Sequence, residues 1–461
     1  MSVDCPRLVI GGAASGVGKT SIALGLARLF ARRGLKVQTF KVGPDFLDPT
    51  YLAMASGRTC YNLDGWMTSR AYVAELFARA TAGADLAIVE GVMGLFDGAS
   101  PTGLEGSTAE VAGWLDAPVL LVVGAHGAAR SLAATVKGFA EFEPSVRVAG
   151  VIANRGGSSG HRDWLAESCR ASGVPPLVGM LPRDSLPPLP SRHLGLVTAE
   201  QSGVTPSLLD QLAEVCREHL DVDQILTIAG SPGSLGGRSQ TASVVPTTRV
   251  RLGVAQDEAF HFYYPDNLES LVAQGAEIVP FSPMTDPRLP SELDAIYFGG
   301  GYPEVHAERL AENRDMLSDV RQFADSGGSL YAECGGLMYL GRSLQTLNAT
   351  RYPMAGVLPL DTAMLPQFKA LGYAEVVWAA STLWGEPGRV CRGHEFHYSE
   401  ITADDAPGHG WRPAYTVRRR RGEPKPAGLA RGRVLAGYVH LHWASRPDAV
   451  LHFLSRCENR S

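Results

Sequence analysis

The sequence predicts an α/β chain of two three-layer domains, each a mostly parallel sheet with helices on both faces. Three observations point there. Short apolar runs alternate with amphipathic stretches in two separate series. Between the series lies a stretch with many breakers and no periodicity. The length of 461 residues, 45% hydrophobic and 19% charged, matches two or three domains with ordinary cores.

In the first series, Arg7–Ile10 reads as a strand, followed by a glycine-rich turn and a helix from about Thr20 to Arg33. Strands follow at Val37–Lys41, Asp85–Glu90, Val119–Val123 and Val148–Ala153, with helices at Arg70–Ala80 and Ala128–Phe139 among them. The interruption at 229–248, rich in Gly, Ser and Pro, reads as a linker. The predicted domains are therefore 1–228 and 249–461. The second series has strands at Val250–Ala255, Glu277–Pro280, Ala295–Phe298 and Ser329–Ala332, with helices over Asp266–Gln274 and Ala307–Ser326.

Composition excludes several classes. A net charge of −5 gives no reason to expect a nucleic-acid partner. The basic run Arg418–Arg421 leads into Gly422, Glu423 and Pro424 and reads as a solvated loop. Seven scattered cysteines without a CxxC pair argue against a disulfide framework or zinc knuckle and for a reducing, cytoplasmic compartment. No secretory leader is recognisable, and no apolar stretch reaches the ~20 residues that cross a bilayer.

Between the first strand and helix stands Gly12-Ala-Ala-Ser-Gly16-Val17-Gly18-Lys19-Thr20-Ser21. Small residues let backbone N–H groups curl around phosphate oxygens, and the helix start adds partial positive charge. Lys19 can reach the β/γ-phosphates of ATP and Thr20 can bind Mg²⁺. The strict spacing places the first glycine at position 13, which is Ala here; it stands instead at Gly12. Lys41, Asp45 and Asp48 follow the next strand and fall at the carboxyl edge of the sheet, where ligands bind. A capping or turn role suits the Asp pair equally. Glu90 ends an apolar strand, where a second Mg²⁺ ligand belongs. Asn154 either reads an adenine edge or forms a turn.

In the second half, Ala332-Glu333-Cys334-Gly335-Gly336 follows a strand and opens a helix. A cysteine so placed has a lowered pKa and acts as a nucleophile; a buried inert thiol is the alternative. A nucleophilic thiol needs a base. His440 supplies one, on the face of its strand opposite Val439 and Leu441. A metal pair of His440 and His442, helped by His394 and His397, is a weaker reading. Gly299-Gly300-Gly301 offers N–H groups for an oxyanion together with Gly335, or simply a flexible turn.

These motifs resemble known families. The first half is similar to the dethiobiotin-synthetase-like branch of P-loop NTPases, whose Gly-x5-Gly-Lys-Thr form accommodates Gly12. That likeness implies Thr20, Asp45 and Glu90 around Mg²⁺, Lys19 and Lys41 near the transferring phosphate, and a homodimer. The second half resembles the triad (class I) glutamine amidotransferases, a flavodoxin-like fold, with Cys334 and His440 as the reacting pair. Two departures stand out: Ala332 begins the elbow, and His442 occupies the place of the usual acid.

Together the halves resemble the cobyrinic acid or hydrogenobyrinic acid a,c-diamide synthase family. The match rests on 41–49, Asn62-Leu-Asp64, 90–98, 299–304 and Gly393-His-Glu-Phe-His-Tyr398. It implies ATP- and glutamine-dependent amidation of a corrin polycarboxylate. Cobyric acid synthase and a nickel-sirohydrochlorin amidase are the neighbouring readings. A non-catalytic P-loop regulatory ATPase is the reading from another class.

Overall fold

The computed structural model describes residues 2–189, 204–231, 235–236 and 250–458. They divide into two compact units, the first ending before 250 and the second starting there. In the first unit seven parallel strands run in the order Tyr61–Leu63, Val37–Val42, Leu86–Glu90, Arg7–Gly12, Val119–Gly124, Val148–Gly156, Leu177–Pro182. The central strands are buried at nearly every position, as a sheet covered on both faces demands. Registers pair Ile10 with Glu90 and Glu90 with Lys41. The P-loop, the acid and the lysine therefore leave the sheet at one edge.

In the second unit five parallel strands come first: Ala276–Phe281, Val250–Ala255, Ala295–Phe298, Ser329–Glu333, Val434–Gly437. The sheet then continues antiparallel through Lys425–Arg431, Arg412–Arg419, Ala370–Trp378, Val390–His397 and His440–His442. Alternate residues serve two cores: Ile296, Phe298, Leu330 and Ala332 in one, Ala295, Tyr297 and Tyr331 in the other. That is the period of two expected of a sheet buried on both faces.

Three expectations need correction. Arg418 and Arg419 lie in the strand Arg412–Arg419 rather than in a loop, and Arg419 makes a fork-to-carboxylate pair with buried Glu395 at 2.5 and 2.9 Å. The helix predicted over 307–326 breaks at Asn313 into Ala307–Glu312 and Arg314–Asp325, because the Asn313 amide donates to Pro283 and Asp286 carbonyls, both at 2.9 Å. Part of the predicted linker is ordered. Ala229 closes the helix Val222–Ala229, and Leu235–Gly236 pairs antiparallel with Ser2–Val3. Its segments 232–234 and 237–248 lie outside the described residues. Among the described residues, no helix is long and apolar enough to cross a membrane.

Candidate active site

The helix Lys19–Arg32 begins at Gly18, whose backbone is left-handed (φ 99°). Only glycine suits this position twice over. The conformation disfavours a side chain, and a Cβ would stand 2.4 Å from Asn154 Nδ2. Asn154 thus lies against the P-loop, donating to the Val17 carbonyl at 2.8 Å and accepting from Arg155 N–H at 2.8 Å. Arg155 donates to the Gly16 carbonyl. A cavity of about 760 Å³ opens here, lined by Gly16, Lys19, Ser21, Asn154, Arg155 and Asp184 among others. Its size is that of an ordinary ligand pocket. Arg155 and Asp184 escaped the sequence reading; the one available signal was the adjacency of Arg155 to Asn154.

Behind the loop lies a charge cluster. Lys41 Nζ sits 2.8 Å from Asp48 Oδ2 and 2.9 Å from Glu90 Oε1, all three groups being buried. Burial works to push Lys41 down, but the Asp48 and Glu90 carboxylates outweigh it and hold the ammonium charged. Burial raises Glu90 to about 7 against the pull of Lys41. Thr20 Oγ1 donates to Glu90 Oε1 at 2.5 Å, while Glu90 Oε2 is buried with no hydrogen-bond partner among the described residues. A hydroxyl beside a carboxylate with an unsatisfied oxygen is a donor set that fits a hard divalent cation.

Asp45 lies beside this cluster, and its carboxylate adds to the pull on Lys41. Its Oδ1 accepts from Leu47 and Asp48 N–H at 2.8 and 3.0 Å, at the start of the helix Asp48–Ser56. This is the turn geometry left open by the sequence, and Asp48 is the carboxylate in ion-pair contact with Lys41. Asn62 braces the same loop, donating to the carbonyls of Gly43 and Asp45 at 2.8 Å each.

In the second unit Cys334 joins the strand Ser329–Glu333 to the helix Gly335–Leu340 with φ 48° and ψ −101°. A positive φ on a non-glycine residue is strained, as a nucleophile elbow is. The expectation of a lowered thiol pKa is overturned. Burial pushes the Cys334 thiol up and the Glu304 carboxylate adds to this, while the Gly335 N–H opposes. The six-residue helix offers too little dipole to offset complete desolvation. The thiol donates to the Phe396 carbonyl at 3.8 Å. The glycine turn meets the elbow: a Cβ on Gly335 would stand 3.1 Å from Gly301 N.

His440 reaches the same place. A Cβ on Gly300 would stand 2.3 Å from His440 Cε1, so the glycine makes room for the ring. The ring stacks on His394 at 5.0 Å between centroids, since the two strands register His394 against His440. Burial, with His394 and His397 adding, keeps His440 well below the usual histidine range and therefore neutral. His442 turns to a different acid, with Nε2 3.4 Å from Asp266 Oδ2. His394 bonds the Tyr264 hydroxyl at 2.9 Å and His397 stacks on Tyr438. Among the described residues no cluster of three or more His, Cys, Asp or Glu could hold a metal, so the histidines do not form the metal site that was considered.

Residues 8–197 match the CobQ/CobB/MinD/ParA nucleotide binding domain, and residues 251–448 match the CobB/CobQ-like glutamine amidotransferase domain. Over 460 residues the chain is 56% identical to the cobyrinate a,c-diamide synthase of Syntrophotalea carbinolica, covering all of both chains. The chain belongs to the cobyrinate a,c-diamide synthase family. The synthase of that name from Leptospira interrogans is 42% identical over 99% of each chain, and that from Priestia megaterium 39% identical over 98% of this chain and 97% of its own.

Membership of the a,c-diamide synthase family makes the chain an ATP-dependent glutamine amidotransferase of the ligase class. The Gly-His-Glu-Phe-His-Tyr segment acquires a structural meaning within it. Gly393 has no room for a Cβ, which would stand 2.0 Å from the His440 carbonyl, and the next residue stacks on the His440 ring. In the first unit, Lys19→Ala lowers amide synthesis about 10²- to 10³-fold with glutamine and with ammonia alike, the size of losing one charge-stabilising donor. Steady-state rates with each nitrogen donor measure this. Survival of the ammonia-driven rate removes Lys19 from phosphate handling.

Proposed function

We propose that the protein amidates the a and c side-chain carboxylates of hydrogenobyrinic acid or cobyrinic acid in cobalamin biosynthesis. Residues 1–228 carry the synthase and 249–461 the glutaminase. The observation that carries this reading is the end-to-end similarity to relatives named cobyrinate a,c-diamide synthase.

In the synthase, backbone N–H groups of Gly16 to Ser21 receive the ATP phosphates, and Asn154 faces the base side. Thr20 and Glu90, with Asp45 beside them, would hold Mg²⁺, which would supply positive charge against the ATP phosphates. Lys19 and Lys41 stabilise the transferring phosphoryl group, and Asp48 keeps Lys41 in place. A corrin carboxylate oxygen attacks the γ-phosphorus, ADP leaves, and an acyl phosphate results. Ammonia attacks its carbonyl carbon, loses a proton, and expels phosphate.

In the glutaminase, Cys334 gives its proton to His440 and attacks the side-chain amide carbon of glutamine. The N–H groups of Gly300, Gly301 and Gly335 receive the oxyanion. The C–N bond breaks, His440 returns the proton to the departing ammonia, and water hydrolyses the thioester to glutamate. Incubation with ATP, Mg²⁺, glutamine and either corrin acid yields a product with two successive amidations by mass spectrometry. The absence of amidated product from both corrins overturns the substrate.

A further inference from the structure

Glutaminase chemistry leaves the His440 ring needing an acid on its far nitrogen, yet the usual position for that acid holds His442. His442 faces Asp266 and is not available as a substitute. One other buried carboxylate faces His440 directly. Glu333 Oε2 lies 3.9 Å from His440 Nδ1, with both side chains almost fully buried. We propose that Glu333, the residue immediately before the nucleophile, is the positioning acid of the glutaminase triad, acting on Cys334 through His440. The inference rests on Cys334 and His440 being the reacting pair.

The surroundings of Glu333 hold it for this task. Oε1 accepts from the Tyr331 hydroxyl at 2.5 Å and from Leu441 N–H at 3.0 Å. Oε2 accepts from the Tyr297 hydroxyl at 2.9 Å. Burial raises the Glu333 carboxyl to about 7, and the three donors that converge on it oppose that rise by favouring the anion. Oε2 keeps a further acceptor direction, toward His440. Leu441 N–H ties the carboxylate to the backbone one residue past the histidine, so the acid and the base share one short strand. The separation of 3.9 Å suits an ion pair rather than a hydrogen bond. Catalytic contacts commonly tighten when substrate enters. When His440 accepts the thiol proton on Nε2, the ring becomes a cation in a buried site, and Glu333 is the anion beside Nδ1. With Nδ1 protonated toward Glu333, Nε2 is the nitrogen that would act as base for the thiol.

Glu333→Gln tests this in the full-length enzyme, beside His440→Ala and the double variant. Glutamine hydrolysis is measured together with the rate of Cys334 alkylation by iodoacetamide. Glu333→Gln is expected to lower kcat about 10³- to 10⁴-fold, the scale of removing a triad acid, with KM for glutamine unchanged within about twofold. Alkylation slows in parallel, and the double variant is no slower than His440→Ala. Wild-type kcat in Glu333→Gln, or a double variant slower than His440→Ala by the full factor of Glu333→Gln, overturns the assignment. The native near-ultraviolet circular dichroism spectrum reports whether each variant has folded. If Glu333→Gln loses it, Glu333→Asp decides: hydrolysis within about 100-fold of wild type supports the role, and complete loss overturns it. Absence of glutamine hydrolysis in the wild-type protein would count against the glutaminase reading itself, and is read separately.

Discussion

Cys334→Ser abolishes glutamine-driven amidation, by about 10⁴-fold or more, while synthesis from ammonium salts continues. Burial holds the Cys334 thiol protonated in the resting state, so reaction depends on proton transfer to His440, which the same burial keeps neutral. A serine hydroxyl in this site is a far weaker acid and nucleophile than the thiol, so the same histidine deprotonates it far less readily. The substitution is close to isosteric, so the elbow at φ 48° and the packing of the helix Gly335–Leu340 persist. Glutamate release and corrin amidation, each measured with both nitrogen donors, separate the outcomes. Equal loss with glutamine and with ammonia makes Cys334 a packing residue.

Contiguous motifs were legible in the sequence because their chemistry is local. The P-loop lies between its strand and helix as expected, and the Gly12 shift did not disturb it. The elbow was legible too, through small residues after an apolar strand. What the sequence could not supply was anything set by register. His394 meets His440 only because two antiparallel strands align at that pair, and neither the antiparallel extension of the sheet nor its order is written in local periodicity. Asp45 and Asp48 follow the same strand and stay equivalent in the sequence; only the turn that Asp45 makes with Leu47 and Asp48 N–H separates their places. The direction of the thiol pKa is set by burial, which local sequence does not show, and not by the helix start. The Arg418–Arg421 run is exposed as expected, but the strand that takes in Arg419 and its pairing with Glu395, 24 residues away, are not visible locally.

Lys41→Met carries the largest expected change in stability. Lys41 pairs with both Asp48 and Glu90, and both carboxylates are buried. Removing one partner of such a network leaves uncompensated buried charge and costs about 3–5 kcal/mol. The sign of its pH dependence follows. Glu90 already stands at about 7 with the lysine present, above its unfolded value, and loss of Lys41 drives it higher. A carboxyl with a raised folded pKa stabilises below its unfolded value and loses that contribution as pH rises through the folded one. The deficit of the variant is therefore smallest near pH 5 and grows through pH 7 and above. Chemical denaturation at pH 5, 6, 7 and 8 measures it. Lys41→Met/Glu90→Gln removes one of the stranded charges and recovers part of the lost stability at pH 8. A deficit independent of pH, or no recovery in the double variant, shows that Lys41 contributes by packing alone. If Lys41 meets the transferring phosphoryl group as proposed, amide synthesis is lost in both variants, with glutamine and with ammonia.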